Sequence, residues 1–165
     1  MNSTMIKQYD NDFFIRPAGN TDIPSVKNVV FSVLKEYGLK PDEAGKDNDL
    51  DDIETSFFAN NGHFGVLVEK NTNNLIGTVG LFSLDKGTCE LRKMYLLKDF
   101  RGKGLGKFML TFTIQAAKER QYKRIVLETI SPLKEAISLY KQAGFREIKP
   151  HEINERVDQA FELIL

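Results

Sequence analysis

The sequence predicts an α/β sandwich around a mixed sheet. Strand-like runs in the first half of the chain follow one another through short turns. After the run RGKGLG (Arg101 to Gly106) they alternate with amphipathic helices instead. That run joins an apolar strand to a helix, and its three glycines alternate with other residues.

Phe13 to Arg16 reads as a short opening strand that stops at Pro17. Thr21 or Asp22 can cap a helix with Pro24 in its first turn. Val26, Val29, Val30, Val33, Leu34 and Tyr37 then recur at helical spacing, and Gly38 can terminate them. The polar stretch Leu39 to Asp52 reads as a loop, and Leu50 to Phe58 as a second short helix. His63 to Glu69 alternates as a strand, Asn71 to Asn74 turns, and Leu75 to Leu84 is the next strand. Asp85 to Gly87 turns the chain back into a long strand, Thr88 to Leu97.

The helix from Leu105 to about Glu119 places Leu105, Phe108, Met109, Phe112 and Ala116 on one face. Arg124 to Ile130 is a β-branched strand. Ser131 is expected to cap, and Pro132 to open, a helix that Gly144 ends. Phe145 to Ile148 and Gln159 to Leu165 read as closing strands. No repeat, low-complexity linker or shift in composition divides the chain. Residues 1–165 are therefore expected to form one domain, with roughly the first ten residues flexible.

Composition excludes several classes. With 165 residues, 41% of them hydrophobic and 28% charged, the chain can bury a core without disulfides or metals. The single Cys89 allows no intramolecular disulfide, suits a reducing compartment, and reads as a small buried residue. No apolar stretch is long enough to span a bilayer, and MNSTMIKQYDND lacks a signal-peptide core. A soluble, cytoplasmic protein without a membrane partner is expected. The 23 basic and 23 acidic residues cancel, which argues against a nucleic-acid partner. No Cys/His cluster has metal-ligand spacing, so no metal is expected; His63, after Asn-Gly, reads as a turn residue, and His151 has no partnering motif.

The charges are unevenly placed. From Arg92 to Lys107 six basic residues accompany one acid, whereas from Glu36 to Glu54 eight acids accompany two lysines. The basic stretch brackets the glycine run. Glycine there admits positive φ and close approach of a ligand to the main chain. The first amides of the following helix have no intrahelical partner and sit at the positive end of its dipole. The combination suits a phosphate-bearing ligand. It is neither of two common phosphate loops. The P-loop pattern needs Gly where Arg101 stands and Ser or Thr where Phe108 stands; the dinucleotide pattern needs Gly where Lys107 stands.

The pattern that does fit is [RQ]-x-x-G-x-[GA], at Arg101, Gly104 and Gly106. With the preceding strand CELRKMYLLKDF, the strand RIVLETI and the segment EAISLYKQAGF, the chain resembles the GNAT superfamily of N-acetyltransferases from residue 89 to residue 148. The resemblance is to the small-molecule-type branch. It implies a mixed, mostly antiparallel central sheet flanked by helices on both faces, and acetyl-CoA as co-substrate. It further implies that Arg101, Gly102, Lys103, Gly104, Leu105, Gly106 and Lys107 hold the pyrophosphate. Main-chain groups of Met94, Tyr95 and Leu96, on a strand splayed from its neighbour, would hold the pantetheine arm. Tyr140, in LYKQAGF, takes the position of the tyrosine that protonates the leaving thiolate. On spacing alone Tyr140 is a core residue, on one helix face with Leu133, Ala136 and Ile137.

Direct attack also needs a base to deprotonate the ammonium. Glu90 is the candidate, because related enzymes carry a carboxylate on this strand; Glu128 is the alternative, and a solvated strand face accounts equally well for both. The chain departs from the commonest pattern at Leu133, where many members carry Asn. The resemblance thus implies transfer of acetyl from acetyl-CoA to the primary amine of a small molecule within a ternary complex. Acetylation of a protein or peptide amine and a non-catalytic acyl-CoA sensor are the alternatives. The acidic stretch suggests a cationic acceptor, or else a solvated loop that balances charge. Homodimers are common in the superfamily.

Overall fold

In the computed structural model, which describes residues 5–165, a single sheet of eight strands runs through the molecule. In chain order the elements are β1 (Lys7–Gln8), β2 (Phe13–Pro17), α1 (Ile23–Glu36), α2 (Ile53–Ser56), β3 (His63–Glu69), β4 (Asn74–Ser83), β5 (Thr88–Leu96), α3 (Leu105–Glu119), β6 (Arg124–Thr129), α4 (Lys134–Gln142), β7 (Arg146–Ile148) and β8 (Gln159–Ile164). The strand order is β1-β2-β3-β4-β5-β6-β8-β7. Only β5 and β6 pair in parallel; every other neighbouring pair is antiparallel. The mixed, mostly antiparallel sheet is as expected. Residues 1–4 of the segment expected to be flexible lie outside the described residues. Lys7 and Gln8, from the same segment, pair with Ile15 and Phe14 as an edge strand.

The helices cover both faces because apolar residues alternate along the strands. Phe64, Val66 and Val68 of β3 pack with Val26, Val30 and Leu34 of α1 and with Leu50, Ile53 and Phe57. Phe57 meets Phe64 and Phe82 edge-on. On the other face Leu67, Ile76, Leu81, Leu91 and Leu127 pack under Leu105, Met109 and Phe112 of α3 and under Ile137 and Tyr140 of α4. Gly77 on β4 admits α3 closely: a Cβ there would lie 3.0 Å from the Met109 sulfur.

Three local expectations are corrected. Asp22 precedes α1 but does not cap it; its carboxylate takes a fork of bonds from Arg16 (2.8 and 2.9 Å) and one from the Gly19 amide (2.9 Å). Ser131 does not cap α4, which begins after Leu133; its amide and hydroxyl both donate to Asp158 at 2.8 Å. His63 is no turn residue: it opens β3, buried between the rings of Phe58 and Phe112. Burial, with help from the nearby Arg120 charge, pushes its pKa down to about 3.

Candidate active site

A cavity of about 480 Å³ opens where α3 begins. Of the residues expected to bind the co-substrate, Met94, Tyr95, Leu96, Arg101, Gly102, Gly104, Leu105, Gly106 and Lys107 all line it. Gly102 and Gly104 hold φ of +80° and +81°, a region that costs other L-residues energy. The first helical bond is Phe108 N to Gly104 O at 3.1 Å. The amides of Leu105, Gly106 and Lys107 therefore stand at the positive end of α3 with no intrahelical acceptor. Lys107 and Lys134 line the same cavity, so amides and ammonium groups together fit a phosphate-bearing ligand. Lys134 escapes a reading of the sequence because α4 lies about thirty residues downstream of the loop.

Two side chains of the loop point elsewhere. Lys103 does not line the cavity. Its Nζ lies 5.8 and 5.7 Å from the ring centres of Phe13 and Phe100, and its carbonyl accepts the Tyr9 hydroxyl at 2.6 Å. The Arg101 guanidinium donates to the Leu96 carbonyl (3.0 and 2.8 Å) and forks onto Glu36 (2.5 and 2.9 Å). It ties the end of α1 to the end of β5, and that pairing raises its own pKa while lowering that of Glu36.

The splay of β5 is visible. Its pairing with β4 continues to Leu96, but with β6 it pairs only from Thr88 to Glu90. Beyond Glu90 the edge facing β6 opens onto a second cavity of about 390 Å³, which Leu127, Glu128 and Thr129 border from β6. A bulge accompanies the opening: Thr78 faces Tyr95 and Gly80 faces Arg92, so Lys93 and Met94 together oppose Val79. Lys93 takes φ +54°, and its carbonyl accepts the Thr78 hydroxyl at 2.7 Å.

Both cavities are lined by Val33, Tyr37, Met94, Tyr95, Leu133 and Tyr140, so they join at the open edge of β5. Tyr140 is 5% exposed and packs against the rings of Phe145 and Phe161. Among the described residues its hydroxyl has no hydrogen-bond partner, and it is not sealed in the core: Tyr140 lines both cavities. Burial first, and the neighbouring Tyr95 second, push its pKa up, so the phenol keeps its proton at neutral pH. Leu133, which departs from the commoner asparagine, adds an apolar wall to both cavities.

Glu90 and Glu128 both border the second cavity. Glu90 is the more enclosed, with its side chain 16% exposed and one oxygen held by Arg92 Nε; Glu128 is exposed. The rest of the wall was not foreseen. Asp47 is fully buried. It accepts a fork from Arg156 (2.8 and 2.9 Å) and the Asp42 amide (2.8 Å), with Lys93 Nζ at 3.1 Å. Lys93 also donates to the Lys46 carbonyl at 2.9 Å and lies 3.3 Å from Asp49. Burial alone would raise the Asp47 pKa, but these bonds and charges outweigh it and hold the carboxyl at about 2.

The stretch rich in acids is exposed from residue 41 to residue 46 but buries Asp47 and Asp49. Glu36 is bound to Arg101, Glu43 and Asp51 to Lys27, and Asp47 and Asp49 to buried cations. From this stretch the cavity is lined by Tyr37, Leu39, Gly45, Lys46 and Asn48, and by no acid. The expected steering of a cationic acceptor by this stretch has no geometric basis. Cys89 is buried, and burial raises its thiol to about 12, so it is no nucleophile. No described helix is long and apolar enough to cross a membrane.

Residues 30–145 match the family described as Acetyltransferase (GNAT) family. An uncharacterized N-acetyltransferase of Escherichia coli K12, YjgM, is 37% identical over 132 residues, covering 77% of this chain and 78% of its own. A GNAT-family acetyltransferase of Staphylococcus aureus Mu50 superposes with a TM-score of 0.83 at 27% identity, over 91% of this chain and 97% of its own. YncA of Salmonella typhimurium, solved with acetyl-CoA, shares the fold with a TM-score of 0.74 at 18% identity, over 93% and 94% of the two chains.

Proposed function

The chain belongs to the GNAT acetyltransferase family and is an acetyl-CoA-dependent N-acetyltransferase; from that premise we propose that its acceptor is the primary amine of a small molecule, acetylated by direct attack in a ternary complex. The observation that carries this reading is Tyr140, a buried ring that lines both cavities where they meet and whose hydroxyl is without a partner among the described residues. Residues 1–165 are read as one catalytic domain, supported by one sheet that takes in both the first and the last strands.

Acetyl-CoA supplies the acetyl group as a thioester. The amides at the start of α3, with Lys107 and Lys134, bind its phosphates. The open edge of β5 offers main-chain groups at Met94, Tyr95 and Leu96 to an extended arm. An amide there stabilises the carbonyl oxygen as it gains charge. Glu90 takes the proton that makes the amine nucleophilic; its enclosed position favours it over Glu128. As the C–N bond forms and the C–S bond breaks, Tyr140 protonates the sulfur, and the second amine proton restores the phenol. A thiol pKa of about 8.5 means the leaving group needs only modest help.

The test is release of CoA thiol from acetyl-CoA across amino acids, polyamines, aminoglycosides and short peptides, with a no-acceptor control. Release with small amines supports the reading. Release with peptides alone moves the acceptor to proteins. Binding of acetyl-CoA with no release across the panel points to a sensor.

A further inference from the structure

The acceptor cavity carries four cationic side chains, Lys46, Arg92, Lys93 and Arg156, and two carboxylates, Glu90 and Glu128. Two of the cations are already committed. Arg156 forks onto Asp47, and Lys93 spends its ammonium on Asp47, Asp49 and the Lys46 carbonyl. Arg92 is not saturated. Its Nε donates to Glu90 and its Nη1 to Asp49 at 3.5 Å, but Nη2 has no acceptor among the described residues. The guanidinium lies 3.7 Å over the Phe82 ring, so its plane is fixed before any ligand arrives. Glu90 is complementary: Oε1 is taken by Arg92, and Oε2 has no donor among the described residues.

Glu90 and Arg92 are two positions apart on β5, on the same face and before the bulge. Glu90 and Arg92 both line the cavity, and each keeps one polar atom, Oε2 and Nη2, without a partner among the described residues. A polyamine would satisfy the first and be repelled by the second, and by Lys46. A molecule with a cation and an anion a few bonds apart satisfies both. We propose that the acceptor is a zwitterion of the amino-acid class, its ammonium on Glu90 and its carboxylate on Arg92, with Arg92 as the specificity-determining residue. This rests on the small-amine transferase reading above and narrows it.

The experiment compares kcat/KM for an amino acid, its primary carboxamide, the amine left by removing its carboxyl group, and spermidine. The common amino acids are screened first to find the side chain that fits. The free amino acid should exceed its carboxamide and decarboxylated amine by about tenfold or more, mostly through KM, as a charge-assisted bond to carboxylate requires. Arg92→Met keeps contact with Phe82 but removes the donors, and should bring that ratio towards one. Arg92→Lys should restore part of it. A ratio taken within one preparation is insensitive to partial loss of fold, and the wild-type ratio stands should the variants not fold. Equal use of acid and carboxamide, or a preference for spermidine, overturns the zwitterion while leaving the transferase reading intact. No CoA release with any amine, in protein that binds acetyl-CoA, overturns both.

Discussion

In the cavity proposed for the co-substrate, the groups offered to the ligand are main-chain amides of one stretch, residues 101–107, held open by glycines at positive φ. In the cavity proposed for the acceptor they are side chains from β5, β6, the stretch after α1 and the turn before β8. The first needs only a turn and a helix end, and any residue compatible with that backbone can stand between the glycines. The second is held by buried charges that must find each other across 109 residues of sequence separation, as Arg156 and Asp47 do. Damage to the first should therefore appear as lost affinity for acetyl-CoA, and damage to the second as lost stability and lost selectivity.

The largest effect should follow Asp47→Ala, which leaves Arg156 and Lys93 buried without their carboxylate. About 3–5 kcal/mol of stability should be lost, measured by urea denaturation. The pH dependence has a definite sign. The folded Asp47 pKa, about 2, lies below its ordinary 3.8. Its contribution is complete above 3.8 and disappears as pH falls through about 2, so the variant should show a flatter loss of stability across that window. An unchanged urea midpoint would mean that the network does not hold the acceptor wall together.

Next in size is Tyr140→Phe, expected to lower kcat roughly 10²-fold while acetyl-CoA binding is kept. Unchanged kcat would remove the proton donor from the junction of the two cavities. Gly104→Ala acts on the other side of the comparison. Strain at φ +81° and a Cβ 2.7 Å from the Tyr9 hydroxyl should weaken acetyl-CoA binding about tenfold by calorimetry, with little change in acceptor KM. Smallest is Lys103→Ala, whose ammonium faces Phe13 and Phe100. The Kd for acetyl-CoA should stay within about twofold, whereas Lys107→Ala should weaken it several-fold. Equal losses for the two lysines would mean that both reach the phosphates.

The same division explains what the sequence disclosed. Periodicity placed the strand from His63 to Glu69 and the helix from Leu105 to Glu119 with their observed bounds. Each is long and strongly patterned, and each begins after a glycine, Gly62 or Gly104, so local preference and tertiary packing agree. The glycine run disclosed the turn at positive φ that borders the first cavity, because its signal is local. The opening between β5 and β6 was foreseen only through the resemblance, since unpaired edges leave no mark in the residues. Asp47, Asp49, Lys93 and Arg156 were invisible as a group: an acid in a polar stretch looks solvated until the cation that buries it is known. His63 was misplaced for the same reason, because Phe58 and Phe112 enclose it from other elements. Nothing local told a capping Ser131 from one bound to Asp158.

The most direct test of the joined cavities is a crystal structure with acetyl-CoA bound. The account predicts phosphates on the amides of residues 105–107, the thioester beside the open edge of β5 beyond Glu90, and the sulfur within hydrogen-bond reach of the Tyr140 hydroxyl, about 3.5 Å. A thioester lying away from that edge, or a Tyr140 hydroxyl that still faces no ligand atom, would contradict it.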